Sequence, residues 1–185
     1  MMKGVGFLFL LIVVFYSCKG REVPVCEGMI DNQRVNVSLQ KKTDSAYVLL
    51  LYVDDKLHSS WPLDYPVYRY DSGDITGNGK PDIAVGVIKP TRFDPKPDKR
   101  LFIFRITDDF YIRPLWLGSR VSQPLEDFCI RRDEIRHMVC TIEREQSGNY
   151  LVAEYRWRGF GLDFERYIER EIPLKKAKKL LQDNE

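Results

Sequence analysis

One short segment carries residues whose types and spacing could hold a cation. In Gly73-Asp74-Ile75-Thr76-Gly77-Asn78-Gly79-Lys80-Pro81-Asp82, oxygen-bearing side chains stand at loop positions 1, 3, 5 and 9: Asp74, Thr76, Asn78 and Asp82. A tight turn brings alternate residues to one side, and Gly77 and Gly79 permit the positive φ that such a turn needs. The backbone carbonyl of Lys80, at position 7, supplies a further oxygen. A hard cation such as Ca2+ takes 6–8 oxygens, so this set with water would nearly satisfy one. The segment is not an EF-hand, because position 12 is Val85 in an apolar run, where that motif requires a bidentate Glu. The competing reading is a glycine-rich turn whose Asp and Asn bond their own backbone.

Thiols and imidazoles offer less. Cys129 and Cys140 flank a hairpin whose tip falls near Asp133–Arg136. A two-residue loop at Glu134-Ile135 would set the two cysteines directly opposite, near enough for a disulfide after small adjustment. Two buried free thiols are the other reading, because cysteine is itself a core residue. No C-x-x-C spacing exists, and His58 and His137 are the only histidines, so these residues suggest no zinc site. No nucleophile signature such as G-x-S-x-G occurs, and we identify no catalytic constellation.

The segment Gly73–Gly86 resembles the FG-GAP (VCBS-type) repeat of calcium-loop β-propellers, in which an Asp-rich loop runs into an apolar strand ending Val-Gly. The resemblance covers one loop and one strand. It implies a structural calcium held by Asp74, Thr76, Asn78, the Lys80 carbonyl and Asp82. Thr76 and Asn78 are neutral where the family often has Asp, which implies weak binding, of the order of 10⁻⁴–10⁻³ M.

The N-terminus resembles a bacterial lipoprotein signal. Met1-Met2-Lys3 precedes an apolar run from Val5 to Tyr16, too short to span a bilayer but of signal-peptide length. Phe15-Tyr16-Ser17-Cys18 is similar to a lipobox, although the aromatic pair departs from the usual Leu-Ala type. The resemblance implies a signal peptide over 1–17 and lipidation of Cys18. It places the protein in the bacterial cell envelope, with Lys19 after the cysteine favouring the outer membrane. Export would put the remaining cysteines in an oxidising compartment.

The chain has 29 basic and 27 acidic residues. Removing 1–17 takes away one base, Lys3, and no acid, so the remainder is near neutral and gives no case for nucleic acid. Residues 18–32 read as a lipidated N-terminus and tether. From 33 to 173 short apolar or alternating runs punctuated by turns predict an all-β domain. Strands are expected at Val35–Leu39, Ala46–Val53, Val67–Tyr70, Ile83–Ile88, Arg100–Thr107 and Phe110–Trp116. Four more are expected at Leu125–Arg131, Arg136–Arg144, Asn149–Arg158 and Asp163–Ile172. Residues 174–185 form a short basic tail with a helix over Leu174–Gln182.

Trp61, Trp116 and Trp157 each close a group of about four strands. Such antiparallel four-stranded units resemble part of an open β-propeller, and a β-sandwich also satisfies the pattern. The Pro-rich segment Lys89–Arg100 is either a partner-binding loop or a disordered one. The aromatics Trp61, Tyr65, Tyr68, Tyr70, Tyr155, Trp157 and Phe160 could stack on glycans if exposed, or serve as core and cross-strand pairs. Two functional classes follow: a binding or scaffolding lipoprotein with a protein or glycan partner, or an envelope enzyme or accessory protein acting on glycans or peptides.

Overall fold

The computed structural model describes residues 22–92, 95–132 and 137–183. The signal segment, Cys18 and the Asp133–Arg136 hairpin tip lie outside these. Among the described residues the chain is all-β apart from one terminal helix. Twelve strands form three four-stranded antiparallel sheets, each an up-and-down meander in chain order. The first comprises β1 (Glu22–Ile30), β2 (Gln33–Thr43), β3 (Ala46–Val53) and β4 (Lys56–Leu63). The second comprises β5 (Val67–Gly73), β6 (Asp82–Lys89), β7 (Asp98–Ile106) and β8 (Ile112–Leu117). The third comprises β9 (Leu125–Arg131), β10 (Met138–Arg144), β11 (Tyr150–Arg158) and β12 (Gly161–Ile172). No sheet closes into a barrel, and the arrangement fits an open propeller or a sandwich.

The sheets stack in order, and strand alternation explains why. In β2 and β3, Val35, Val37, Leu39, Leu49 and Leu51 point one way and meet Ile83, Val85, Val87, Phe102 and Phe104 of the second sheet. The intervening residues Ala84, Leu101 and Ile103 point the other way and pack on Phe128, Ile130, Val139 and Leu151 of the third. The middle sheet is therefore apolar on both faces, the condition that turns an alternating strand into a continuous apolar run. Beyond the third sheet, helix α1 (Leu174–Gln182) lays Ala177 and Leu181 over Cys129, Cys140, Ile142 and Val152. Among the described residues the buried hydrophobics run from Cys26 to Leu181, so the chain from Lys19 onward contains this core.

Short turns set the registers. Asp31-Asn32 and Asp54-Asp55 all take positive φ, the two-residue hairpin conformation that Asp and Asn tolerate. Asp54 also accepts the Arg34 N–H through Oδ1 at 3.1 Å.

Two expectations are corrected. Within the supposed tether of 18–32, Glu22–Ile30 is a strand that pairs antiparallel with β2, and Asp31-Asn32 form the turn between them. Pro24 and the interspersed Glu22 and Glu27 hide its alternation, yet Val23, Val25, Cys26 and Ile30 all join the core. Strand β4 was not anticipated either. It is an edge strand, Lys-Leu-His-Ser-Ser-Trp-Pro-Leu, largely solvated, and it carries Pro62 where an edge allows it. Trp61 and Trp116 do lie in fourth strands, but Trp157 lies in the third strand of its sheet.

Gly86 lies under two rings, Tyr68 of its own sheet and Phe128 of the third. A Cβ there would stand 2.5 Å from the Tyr68 ring and 2.9 Å from the Phe128 ring. Gly86→Ala should therefore lower stability by about 1–3 kcal/mol through overpacking. In a thermal melt this reads as a fall of roughly 3–10 °C for a chain of this size. An unchanged melting temperature would mean that the two rings yield without cost.

Candidate functional site

The Asp74–Asp82 loop joins β5 to β6 and is pinned at both ends by sheet packing. Ile75 is fully buried among the second core cluster. Gly73 lets the third sheet approach: a Cβ there would collide with His137 Nδ1 at 2.5 Å and Ile130 at 2.8 Å. In its place, His137 Nδ1 accepts the Asp74 N–H at 2.7 Å. On the other side Pro81 packs over Gly28 of β1. The turn itself uses Gly77 and Gly79 at φ 73° and 78°.

Within the loop the oxygens divide into two groups. Asp74 accepts the Asn78 N–H through Oδ1 at 2.9 Å and the Gly79 N–H through Oδ2 at 2.7 Å. Asn78 Oδ1 accepts the Lys80 N–H at 2.9 Å. These are the bonds of a self-contained Asx turn. Asp82 differs. It is 1 % exposed, and Oδ2 accepts the Thr76 N–H at 2.8 Å, while Oδ1 is buried with no hydrogen-bond partner. Thr76 Oγ1 is likewise buried; it stands close to the Asp82 carboxyl without a hydrogen bond of normal geometry. Burial pushes the Asp82 carboxyl up to about 6, the Thr76 N–H opposes this, and nearby Asp74 adds to it.

Buried Asp82 Oδ1 and Thr76 Oγ1, side by side in a two-carboxylate loop and short of well-formed hydrogen bonds, belong to a donor set of the hard, all-oxygen kind that calcium takes. An unpaired buried acceptor carries a desolvation penalty that a cation would remove. The residues thus fit such an ion, with Asp74 able to accept further through its remaining lone pairs. Among the described residues no three His, Cys, Asp or Glu side chains gather as a metal cluster. A site here would consequently lean on Thr76, Asn78 and the Lys80 carbonyl. Lys80 Nζ itself bonds Asp108, away from the loop interior.

The cysteines are placed in the expected register: Cys129 lies directly opposite Cys140. Both are free thiols, buried under α1, with Cys129 Sγ donating to the Leu181 carbonyl at 3.5 Å. The Cys140 contact and burial together push the Cys129 thiol well above its ordinary range. Cys26, expected in a tether, is a buried free thiol of the core; burial pushes it up to about 12.

The aromatics separate by strand. Trp61, Tyr65 and Tyr68 pack edge-on or tilted against Phe104, Phe102 and Phe128. Tyr155 is buried in the core. Tyr70 is partly exposed, and Phe160, at the β11–β12 tip, is 94 % exposed. His58 stacks edge-on with Phe110 and Tyr111.

Three buried glutamates were missed in sequence. Glu143 accepts from the Thr141 and Tyr155 hydroxyls at 2.7 Å each, the Ser122 hydroxyl at 2.9 Å and the Gln123 N–H. Glu154 is clamped by Arg131 and Arg166 at 2.6 Å each, and Glu145 by Arg170 at 2.7 Å. Saturated in this way, they act as structural acceptors. A period-2 strand with Thr141 and Glu143 on its inward face was the one available signal.

Of the Lys89–Arg100 segment, Asp98–Arg100 belongs to β7 and Phe93-Asp94 lies outside the described residues. Beside it opens a cleft of about 540 Å³ lined in part by Asp98, Arg100, Ser119 and Arg120. Burial disfavours the Asp98 charge, but the Arg144 guanidinium and the Lys99 N–H outweigh it and hold the carboxyl below its usual range.

A scan against protein-family models finds no match for this chain, and a search of curated proteins finds none either. No helix among the described residues is long and apolar enough to cross a membrane.

The Asp82 environment makes a pH prediction for the calcium-free chain. The folded state binds the Asp82 proton more tightly than the unfolded state, whose carboxyl titrates near 3.8. Between about pH 4 and 6 stability should therefore fall as pH rises, by up to about 3 kcal/mol. Asp82→Asn removes this contribution, so its stability relative to wild type should grow across that window in denaturant titrations. Parallel curves for the two proteins would contradict the assignment.

Proposed function

We propose that the chain is a lipoprotein of the bacterial cell envelope, held through Cys18, that presents a calcium-stabilised β domain for binding or scaffolding. The observation that carries the calcium part is the buried Asp82 carboxyl, whose Oδ1 lies beside Thr76 Oγ1 without a well-formed hydrogen bond, within a loop already closed by Asp74. The resemblance of Gly73–Gly86 to the FG-GAP repeat supports the same reading, as does the order of three blade-like sheets. The lipobox-like Phe15–Cys18 supports the anchor. The outer membrane is the proposed location because Lys19, not an acid, follows Cys18.

The metal's role is structural. Bound calcium would compensate the Asp82 charge and tie the β5–β6 turn to the core of the second sheet. Partner capture falls to other surfaces, of which Phe160 and the cleft beside Lys89–Arg100 are the exposed candidates.

The chain from Lys19 to Glu185 should melt higher in millimolar calcium. At calcium ten times the dissociation constant the gain is about 1.4 kcal/mol, or roughly 3–5 °C. Asp74→Ala and Asp82→Ala should abolish the calcium-dependent shift, whatever they do to the calcium-free melt. A wild-type melt indifferent to calcium would remove this part of the proposal.

A further inference from the structure

The three meanders are polarised end to end. Because every sheet runs up and down from its first strand, the starts of β1, β5 and β9 share an end with the β2–β3, β6–β7 and β10–β11 turns. Contacts between sheets fix this alignment. Arg144 at the end of β10 pairs with Asp98 at the start of β7, and Lys99 pairs with Glu126. At the opposite end Pro81 touches Gly28, and the Ser59 hydroxyl donates to the Phe110 carbonyl.

Charge follows the same division. The calcium-type loop end carries the turns Asp31-Asn32, Asp54-Asp55 and Asp108-Asp109, with Lys80 paired to Asp108 and Lys56 exposed beside Asp55. The end where β1 starts carries exposed Lys42, Lys96, Arg120 and Lys175, with Lys89 laid over the Tyr65 and Phe102 rings; they come from the first two sheets, the β8–β9 connection and the helix. Acids at this second end are largely matched: Asp44 by Lys41, Asp98 by Arg144, Glu126 by Lys99 and Glu145 by Arg170. Glu22, Asp64 and Glu171 are exposed exceptions, Glu22 and Glu171 bonding neutral side chains, and the 540 Å³ cleft with Arg100 and Arg120 opens here.

We infer that this basic end docks on an anionic phospholipid surface, with the acidic loop end facing away from it. The inference rests on the Cys18 anchor reading. Glu22 is already in β1, so three residues, Lys19 to Arg21, lie between the anchor and the domain, a reach of at most about 14 Å. That span is little more than the screening length of about 8–10 Å at ordinary ionic strength. A tether so short leaves the β1-start end no choice but to lie close to the lipid phosphates. Clustered Lys and Arg side chains at that depth are attracted by anionic headgroups.

The test uses Lys19–Glu185, which lacks any acyl group and contains the whole core, in co-sedimentation with vesicles. Vesicles containing phosphatidylglycerol should bind it about ten-fold more tightly than pure phosphatidylcholine, an advantage lost in high salt. The triple change Lys42→Glu, Lys96→Glu, Arg120→Glu should abolish the preference, whereas Lys56→Glu at the opposite end should preserve it. Changing the same three residues to Gln serves if the charge reversal unfolds the chain. Equal partition to both vesicle types would overturn the inference. So would capture by a soluble acidic polysaccharide with indifference to vesicles. Failure of the anchor reading shows separately, as a mature protein whose Cys18 carries no acyl mass.

Discussion

The structure depends on one constraint: the middle sheet must be buried on both faces. Ile83, Val85 and Val87 serve the first sheet while Ala84 serves the third, so β6 is apolar at every step. Burying such side chains contributes about 1.5–3 kcal/mol each, the largest favourable term available to a domain of this kind. Asp82 opens the same strand, paired across to Gly73 and Arg105, and is drawn inside with it. The unpartnered Oδ1 is thus a consequence of sheet stacking. A loop free of that strand could turn its carboxylate to water.

Stacking also creates two end faces, and the chain ends each differently. The outward face of the first sheet carries the polar residues Asn36, Ser38, Gln40 and Tyr52 beside Val48 and Leu50. Glu22 bonds Ser38 at 3.2 Å, Gln40 at 3.0 Å and Tyr52 at 3.1 Å. That face can meet water directly, as a terminal repeat must. The outward residues of the third sheet are apolar and would be exposed without α1, whose Leu174, Ala177 and Leu181 share one stripe. The helix acts as a cap, and the lysines that make its sequence look like a basic tail are its solvated side.

Sequence legibility tracked burial. Ala46–Val53 and the helix Leu174–Gln182 are legible to the residue because a continuous apolar run marks the first and a 3.6-residue stripe the second. Edge strands were not legible. In β1 and β4 one side is solvated, and Glu27, His58 and Pro62 interrupt the pattern that would reveal the other. The Cys129–Cys140 register followed from a two-residue loop assumption, since hairpin loop length alone fixes what lies opposite. The candidate calcium loop was legible as spacing, but the split between Asp74, bonded to its own turn, and Asp82, left open, requires the core. Glu143 was invisible for the same reason: its four donors come from Ser122, Gln123, Thr141 and Tyr155, segments that only the fold brings together.

The central claim is that Asp82 and Thr76 are buried for a cation. Crystals of Lys19–Glu185 grown in calcium, measured for anomalous scattering, test it most directly. The account predicts an anomalous peak about 2.3–2.6 Å from Asp82 Oδ1, with Thr76, Asn78 and the Lys80 carbonyl completing the shell. A peak-free loop with Asp74 still bonded to the Asn78 and Gly79 amides, and water or a protein donor on Asp82 Oδ1, would contradict it.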